Sequence, residues 1–190
     1  SIFPHHHRLA EPSTGRTLGS TSVPGQTYGL AAGEAMDEIY RLAAAGENVT
    51  IPTHTMVREL MKGKNVKFEP KIIPEGSYFA TIDAKDAAGL WKKLRLESHH
   101  GAPKKLQEWL GISDDIWDSS PAYLTGFLEH RGKQVGIHQA LADELGFAHQ
   151  GTRPAGLSNA QLVQKLRDAY SNIGLDDFGK IAADWLENQL

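Results

Sequence analysis

The chain has 190 residues, no cysteine and a formal charge of −3. The missing cysteines exclude a disulfide scaffold, a thiolate metal site and a cysteine nucleophile, and the acidic balance argues against a protein that coats nucleic acid non-specifically. Hydrophobic content of 40% and charged content of 23% suit one buried core, while no apolar run approaches the ~20 residues of a membrane span and no basic-then-apolar signal peptide is visible.

Residues 1–33 are rich in Gly, Ser, Thr and Pro and follow neither apolar period, so they read as an arm or linker ahead of a single compact domain over 34–190. His5, His6 and His7 in that arm can bind metal opportunistically. Glu34 to Ala45 is predicted helical, with Met36, Ile39, Tyr40 and Leu42 on one side and Gly46 as its stop. A short extended piece, "NVTIP", leads to Thr53, which caps a second helix running through Met61. His54 in its first turn reads as a surface or half-buried helix residue rather than a ligand.

Residues 65–83 hold two or three short strands, with Pro70 and Pro74 marking turns or edges. A helix is expected from about Ala87 to Leu96, followed directly by a loop, "SHHGAP", and a short helix with Pro103 in its first turn. "ISDDIWDSSP" reads as an acidic, solvated loop, although Asp114, Asp115 and Asp118 could bind a cation. "AYLTGFLEH" is a strand or bent apolar segment, and "KQVGIHQALADELG" is a helix with Val135, Ile137, Leu141 and Leu145 inside. Leu157 to Ile173 forms a helix capped by Ser158, and Asp176 caps a last helix with Phe178, Ile181, Ala182 and Trp185 inward. Trp91, Trp109 and Trp185 belong to the core, whereas Trp117 in the acidic loop is a candidate contact residue. The fold class is α+β, mostly helical with a small β-sheet.

The chemistry concentrates in His99 and His100, with Glu97 before them and His130 and His138 downstream. Adjacent histidines face different ways on most backbones. One ring can hold a divalent ion while its neighbour takes a proton from water, the division of labour that metal-dependent nucleases need. Lys92, Lys93, Arg95, Lys104 and Lys105 flank the pair. Imidazole donors suit zinc, nickel, manganese or magnesium to different degrees.

"ESHHGAPKKLQEWLGI" followed by "YLTGFLEHRGKQVGIH" resembles the HNH/endonuclease VII class, the His-Me finger nucleases, and especially their bacterial polymorphic-toxin branches. The resemblance covers about residues 90–146 and implies a His-Me finger-like catalytic core over 86–150. Carried over by position, it implies His100 as general base, with Glu97 orienting a histidine or joining the metal shell. It implies His99 and His138 as metal ligands and His130 as a further ligand or phosphate contact. Lys104, Lys105 and Arg131 would hold the strand. The family's asparagine between strand and helix is absent; Asp118, Ser119, Ser120 and Pro121 stand there instead. The implied activity is metal-dependent phosphodiester hydrolysis, with nucleic acid as substrate and a divalent Mg, Mn, Zn or Ni ion as cofactor. The implied setting is the toxin module of a secreted effector, delivered into a target cell, acting in its cytoplasm and neutralised by a cognate immunity protein. A start at Ser1 rather than Met fits a module carved from a larger chain. Two alternatives stand beside this reading: a non-catalytic interaction module, and a metal-dependent cell-wall amidase.

Overall fold

Apolar side chains three and four residues apart build most of this fold. The computed structural model describes residues 26–61, 96–126, 136–146 and 151–190. The arm ahead of residue 26, including His5 to His7, lies outside the described residues. So do the strands expected in 65–83, the helix expected over 87–95 with its Trp91 and basic residues, and Glu129, His130, Arg131 and Val135. The described part is α+β, mostly helical with one two-stranded antiparallel sheet.

Helix α1, Gln26–Ala44, starts ahead of the expected Glu34, because the Ala- and Leu-containing run before Glu34 has a helix propensity that outweighs its glycines. Met36, Ile39 and Tyr40 are fully buried on its inner face. The Tyr40 hydroxyl donates to the Ala122 carbonyl at 2.6 Å, and burial pushes that phenol well above its ordinary range. Helix α2, His54–Met61, is capped as expected, with the Thr53 hydroxyl accepting from the Met56 N–H at 3.2 Å.

Strand β1, Leu96–His100, pairs antiparallel with β2, Ala122–Gly126. The register sets Glu97 opposite Thr125, His99 opposite Tyr123 and His100 opposite Ala122. The histidine pair therefore stands on a strand rather than in a loop. The cause is tertiary: β2 is buried along its whole length against α1 and supplies the ladder that converts "LESHH" to extended backbone. The extended piece before α2 continues this edge. The Ala122 N–H donates to the Pro52 carbonyl at 2.8 Å and the His54 N–H to the Ser120 carbonyl at 3.3 Å.

Between the strands lie α3, Lys104–Trp109, and α4, Asp114–Asp118. The latter replaces the expected acidic loop. The Ser113 side chain accepts from the Ile116 N–H, and Asp114 and Asp115 sit in the first turn, where the helix dipole favours carboxylates. After β2 come α5, Ile137–Leu145, α6, Asn159–Asn172, and α7, Asp176–Asn188. Ser158 and Gln161 form a complete capping box on α6. The N-cap of α7 is Leu175, with Asp176 in the first turn. Ile137, Leu141 and Leu145 are buried on α5, as are Leu162, Val163 and Leu166 on α6 and Phe178, Ala182, Ala183 and Leu186 on α7. Each leucine-sized side chain buried there contributes about 1.5–3 kcal/mol of transfer free energy. Trp109 and Trp185 are half-buried against the same core.

Helices α6 and α7 close tightly at one point: a Cβ on Gly179 would lie 2.6 Å from the Tyr170 Cβ. That atom is fixed to the α6 backbone and cannot swing away. Gly179→Ala is expected to destabilise the fold by about 1–3 kcal/mol through overpacking, read as a lower urea midpoint with an unchanged slope. An unshifted midpoint would mean that the helices separate at no cost.

Candidate functional site

Successive residues of a strand point to opposite faces. Glu97 and His99 thus share one face of β1, and Ser98 and His100 the other. The two faces give the paired histidines different surroundings.

His99 is only 3% exposed. Its Nε2 lies 2.7 Å from the Tyr170 hydroxyl, and that hydroxyl donates its one proton to the Gly101 carbonyl, also at 2.7 Å. His99 must therefore donate from Nε2–H, which fixes its neutral tautomer and leaves Nδ1 as the nitrogen it can offer an ion. Burial pushes the Tyr170 phenol well above its ordinary range, so it stays a neutral donor. His138, exposed on the first turn of α5, approaches edge-on, with ring centroids 5.5 Å apart. Two imidazoles sharing one ion through bonds of about 2.1 Å have ring centres roughly 5 Å apart, a spacing near that of this pair, but among the described residues no third His, Asp or Glu donor joins them in a metal-holding group. Glu97 is half-buried on the same strand face.

His100 is sandwiched. On one side its ring stacks on Trp117 at 3.6 Å and 6°; on the other it stacks on His54 at 3.7 Å and 23°. Its Nε2 lies 3.4 Å from Asp118 Oδ1, and the two side chains are 14% and 47% exposed. The Trp117 indole is itself held, donating to the Ala102 carbonyl at 2.7 Å. His54 Nδ1 lies 3.0 Å from the Ser98 hydroxyl. One donor atom from each of His54, His100 and Asp118 lies within 4.8 Å of the others, so this group could hold a metal ion.

All four histidines line one cleft of about 430 Å³, with Ser98, Trp117, Lys104 and Lys105. Lys104 pairs with Asp114 at 2.8 Å and lies over the Trp117 ring at 4.8 Å from its centroid. The hydrogen bond to Asp114 raises the Lys104 ammonium above its ordinary value and lowers the Asp114 carboxyl below its own. Lys105 pairs with Glu108 at 3.4 Å. Both ammonium groups are exposed enough to exchange a carboxylate for a phosphate.

Of the site residues expected from sequence, His99, His100, His138, Lys104 and Lys105 meet in this cleft, and Glu97 stands on the strand beside them. His130 and Arg131 lie outside the described residues. Sequence reasoning passed over His54, Ser98 and Tyr170 as site residues and assigned Asp118 to a solvated turn. The one available signal for His54 was its place just after the extended "NVTIP" piece, which docks on the start of β2.

No family model, curated protein or solved structure matches this chain. Among the described residues, no helix is long and apolar enough to cross a membrane.

The Tyr170 hydroxyl serves two buried partners at once. Tyr170→Phe is expected to lose about 1–3 kcal/mol of stability by taking that hydroxyl from the Gly101 carbonyl and His99 Nε2. It should also change the His99 tautomer populations read from imidazole nitrogen chemical shifts. Unchanged shifts would mean that the hydroxyl does not hold the ring.

Proposed function

We propose that the chain is a metal-dependent nuclease of the His-Me finger kind that hydrolyses phosphodiester bonds in this cleft. The observation that carries the reading is the convergence of His99 and His100 from β1 and His138 from α5 with Lys104 and Lys105 from α3 on one cleft.

The division of labour follows from the two strand faces. His99, through Nδ1, and His138 would hold a divalent ion, with Glu97 and His130 as the further shell members that the resemblance implies. Such an ion supplies charge stabilisation at the phosphate and at the leaving oxygen. His100 is the general base. Asp118 accepts from its Nε2–H, so the proton from the attacking water goes to Nδ1. In the ion-free cleft the Trp117 and His54 rings favour this one orientation of the imidazole, the preorganisation that a base needs in order to meet its water in line. Lys104 and Lys105 hold the flanking phosphates by exchanging Asp114 and Glu108 for phosphate oxygens.

The setting carried over from the resemblance completes the proposal: a toxin module delivered into a target cell, acting on cytoplasmic nucleic acid and blocked by a cognate immunity protein. Donors of this kind take Mn, Ni or Zn as well as Mg.

Plasmid DNA and total RNA are incubated with the chain under Mg2+, Mn2+, Ni2+, Zn2+ or EDTA, beside His100→Ala. The expected result is ion-dependent degradation that falls by about 100-fold or more in His100→Ala, whose circular dichroism stays native. Cleavage by the variant at the wild-type rate, or intact nucleic acid under every ion, would sink the reading.

A further inference from the structure

His54, His100 and Asp118 come from three separate segments, α2, β1 and α4, and together they carry two imidazoles and a carboxylate. We propose that these three bind a zinc-class ion at a position distinct from the His99–His138 pair, and that this ion switches His100 off as a base. The inhibitory half rests on the nuclease reading; the binding half does not.

Four observations support the site. The hydrogen bond between His100 Nε2 and Asp118 Oδ1 is weak at 3.4 Å, one that an ion can displace. That distance is close to the separation of about 3.3 Å between two donors on one tetrahedral ion with bonds of about 2.0–2.1 Å. His54 already makes the outer hydrogen bond typical of a ligating imidazole, Nδ1 to the Ser98 hydroxyl at 3.0 Å. That orients Nε2 as its ligand nitrogen. Two imidazoles with one carboxylate favour zinc-class ions over magnesium, and three protein donors leave a fourth position for water or a phosphate oxygen. Finally, the group opens onto the cleft, so an ion has a path in.

Loading has a structural consequence. The lone pairs of rings stacked at 3.7 Å run side by side rather than converging, so each ring must turn about its soft χ2 torsion to share an ion. The turn of His100 disturbs its stack on Trp117. It also changes His100 chemically. With Nε2 bound to the ion, the neutral imidazole carries its proton on Nδ1, the nitrogen that would otherwise accept one from water. No net proton is gained or lost by the ring; the acceptor position is simply filled. His99, on the other strand face, and His138, on α5, supply none of the three donors.

The test uses the full chain with His5, His6 and His7 replaced by alanine, titrated with Zn2+ without nucleic acid or Mg2+. Binding is followed by calorimetry and by tryptophan emission. The expected result is stoichiometric binding with a change in emission. His54→Gln and Asp118→Asn should each weaken it at least about tenfold, while His138→Ala should leave it in place. Trp117→Phe should abolish the emission change and keep the heat. Asp118 is half-exposed, so its variant reports even where His54→Gln misfolds. Zinc affinity unchanged in Asp118→Asn and in folded His54→Gln would overturn the site. In the Mg2+-supported cleavage assay, with each chain compared with its own zinc-free rate, saturating Zn2+ should slow the His5–His7 variant and leave the rate ratio of the same chain carrying His54→Gln unchanged. Equal inhibition of both would overturn the switch. A chain that binds zinc at these residues yet cleaves nothing under any ion would keep the site and refute the nuclease reading.

Discussion

The hydroxyl of Tyr170 is the point on which the site depends. It lies 71 positions downstream of His99, yet it accepts from that ring and donates to the carbonyl two residues further along the same strand exit. A two-stranded ribbon of five-residue strands is marginal in water on its own. Here α1 covers one strand, and the helical pair α6 and α7 closes over the end of the other through this hydroxyl. Burial keeps the phenol protonated, so the link does not depend on pH within the ordinary range. The orientation of the histidine pair is thus a property of the C-terminal helices as much as of the strand that carries it.

From that anchor the rest of the cleft follows by alternation. Because neighbouring strand residues point apart, a doublet of one residue type acquires two chemistries without any difference in the residues themselves. One ring is dry, with its tautomer held by a phenol. The other is half-solvated and clamped between aromatic faces, with a carboxylate at its edge. Lys104 and Lys105 sit on α3, directly after the strand, each paired with an exposed carboxylate, so the cleft edge carries charge of both signs. Net charge, averaged over the molecule, carries no information about such an edge.

Much of the helical frame was legible in the sequence. The apolar spacing of α5, α6 and α7 and the Ser158–Gln161 box are local signals, and each residue involved meets its partners within a turn or two of its own helix. The histidine doublet and the downstream His138 stood out in the sequence, and the fold brings them to one cleft. What could not be read locally was β1. "LESHH" has little strand propensity, and its conformation is imposed by a ladder from Ala122–Gly126. Helix α4 was hidden for a related reason, since aspartates and serines mark loops and helix starts alike, and the Ser113 cap decided between them. His54 joined the site through backbone pairing of Pro52 and His54 with the segment around Pro121, a long-range contact that leaves no trace in the spacing of residues 50–61.

Gly101 follows the histidine doublet at a place where backbone and helix meet almost without clearance. A side chain there would bring a Cβ to 2.7 Å from the Ala182 Cβ and 3.0 Å from the Pro121 carbonyl. The methyl of Ala182 is rooted on α7 and cannot retreat. The doublet, the glycine after it and the small residue at 182 therefore form one steric unit spread across the chain, with Tyr170 as its polar member. Distant relatives that keep this architecture should betray themselves less by the two histidines, which are common, than by the co-occurrence of a glycine after them, a phenol on the penultimate helix and an alanine or glycine on the last.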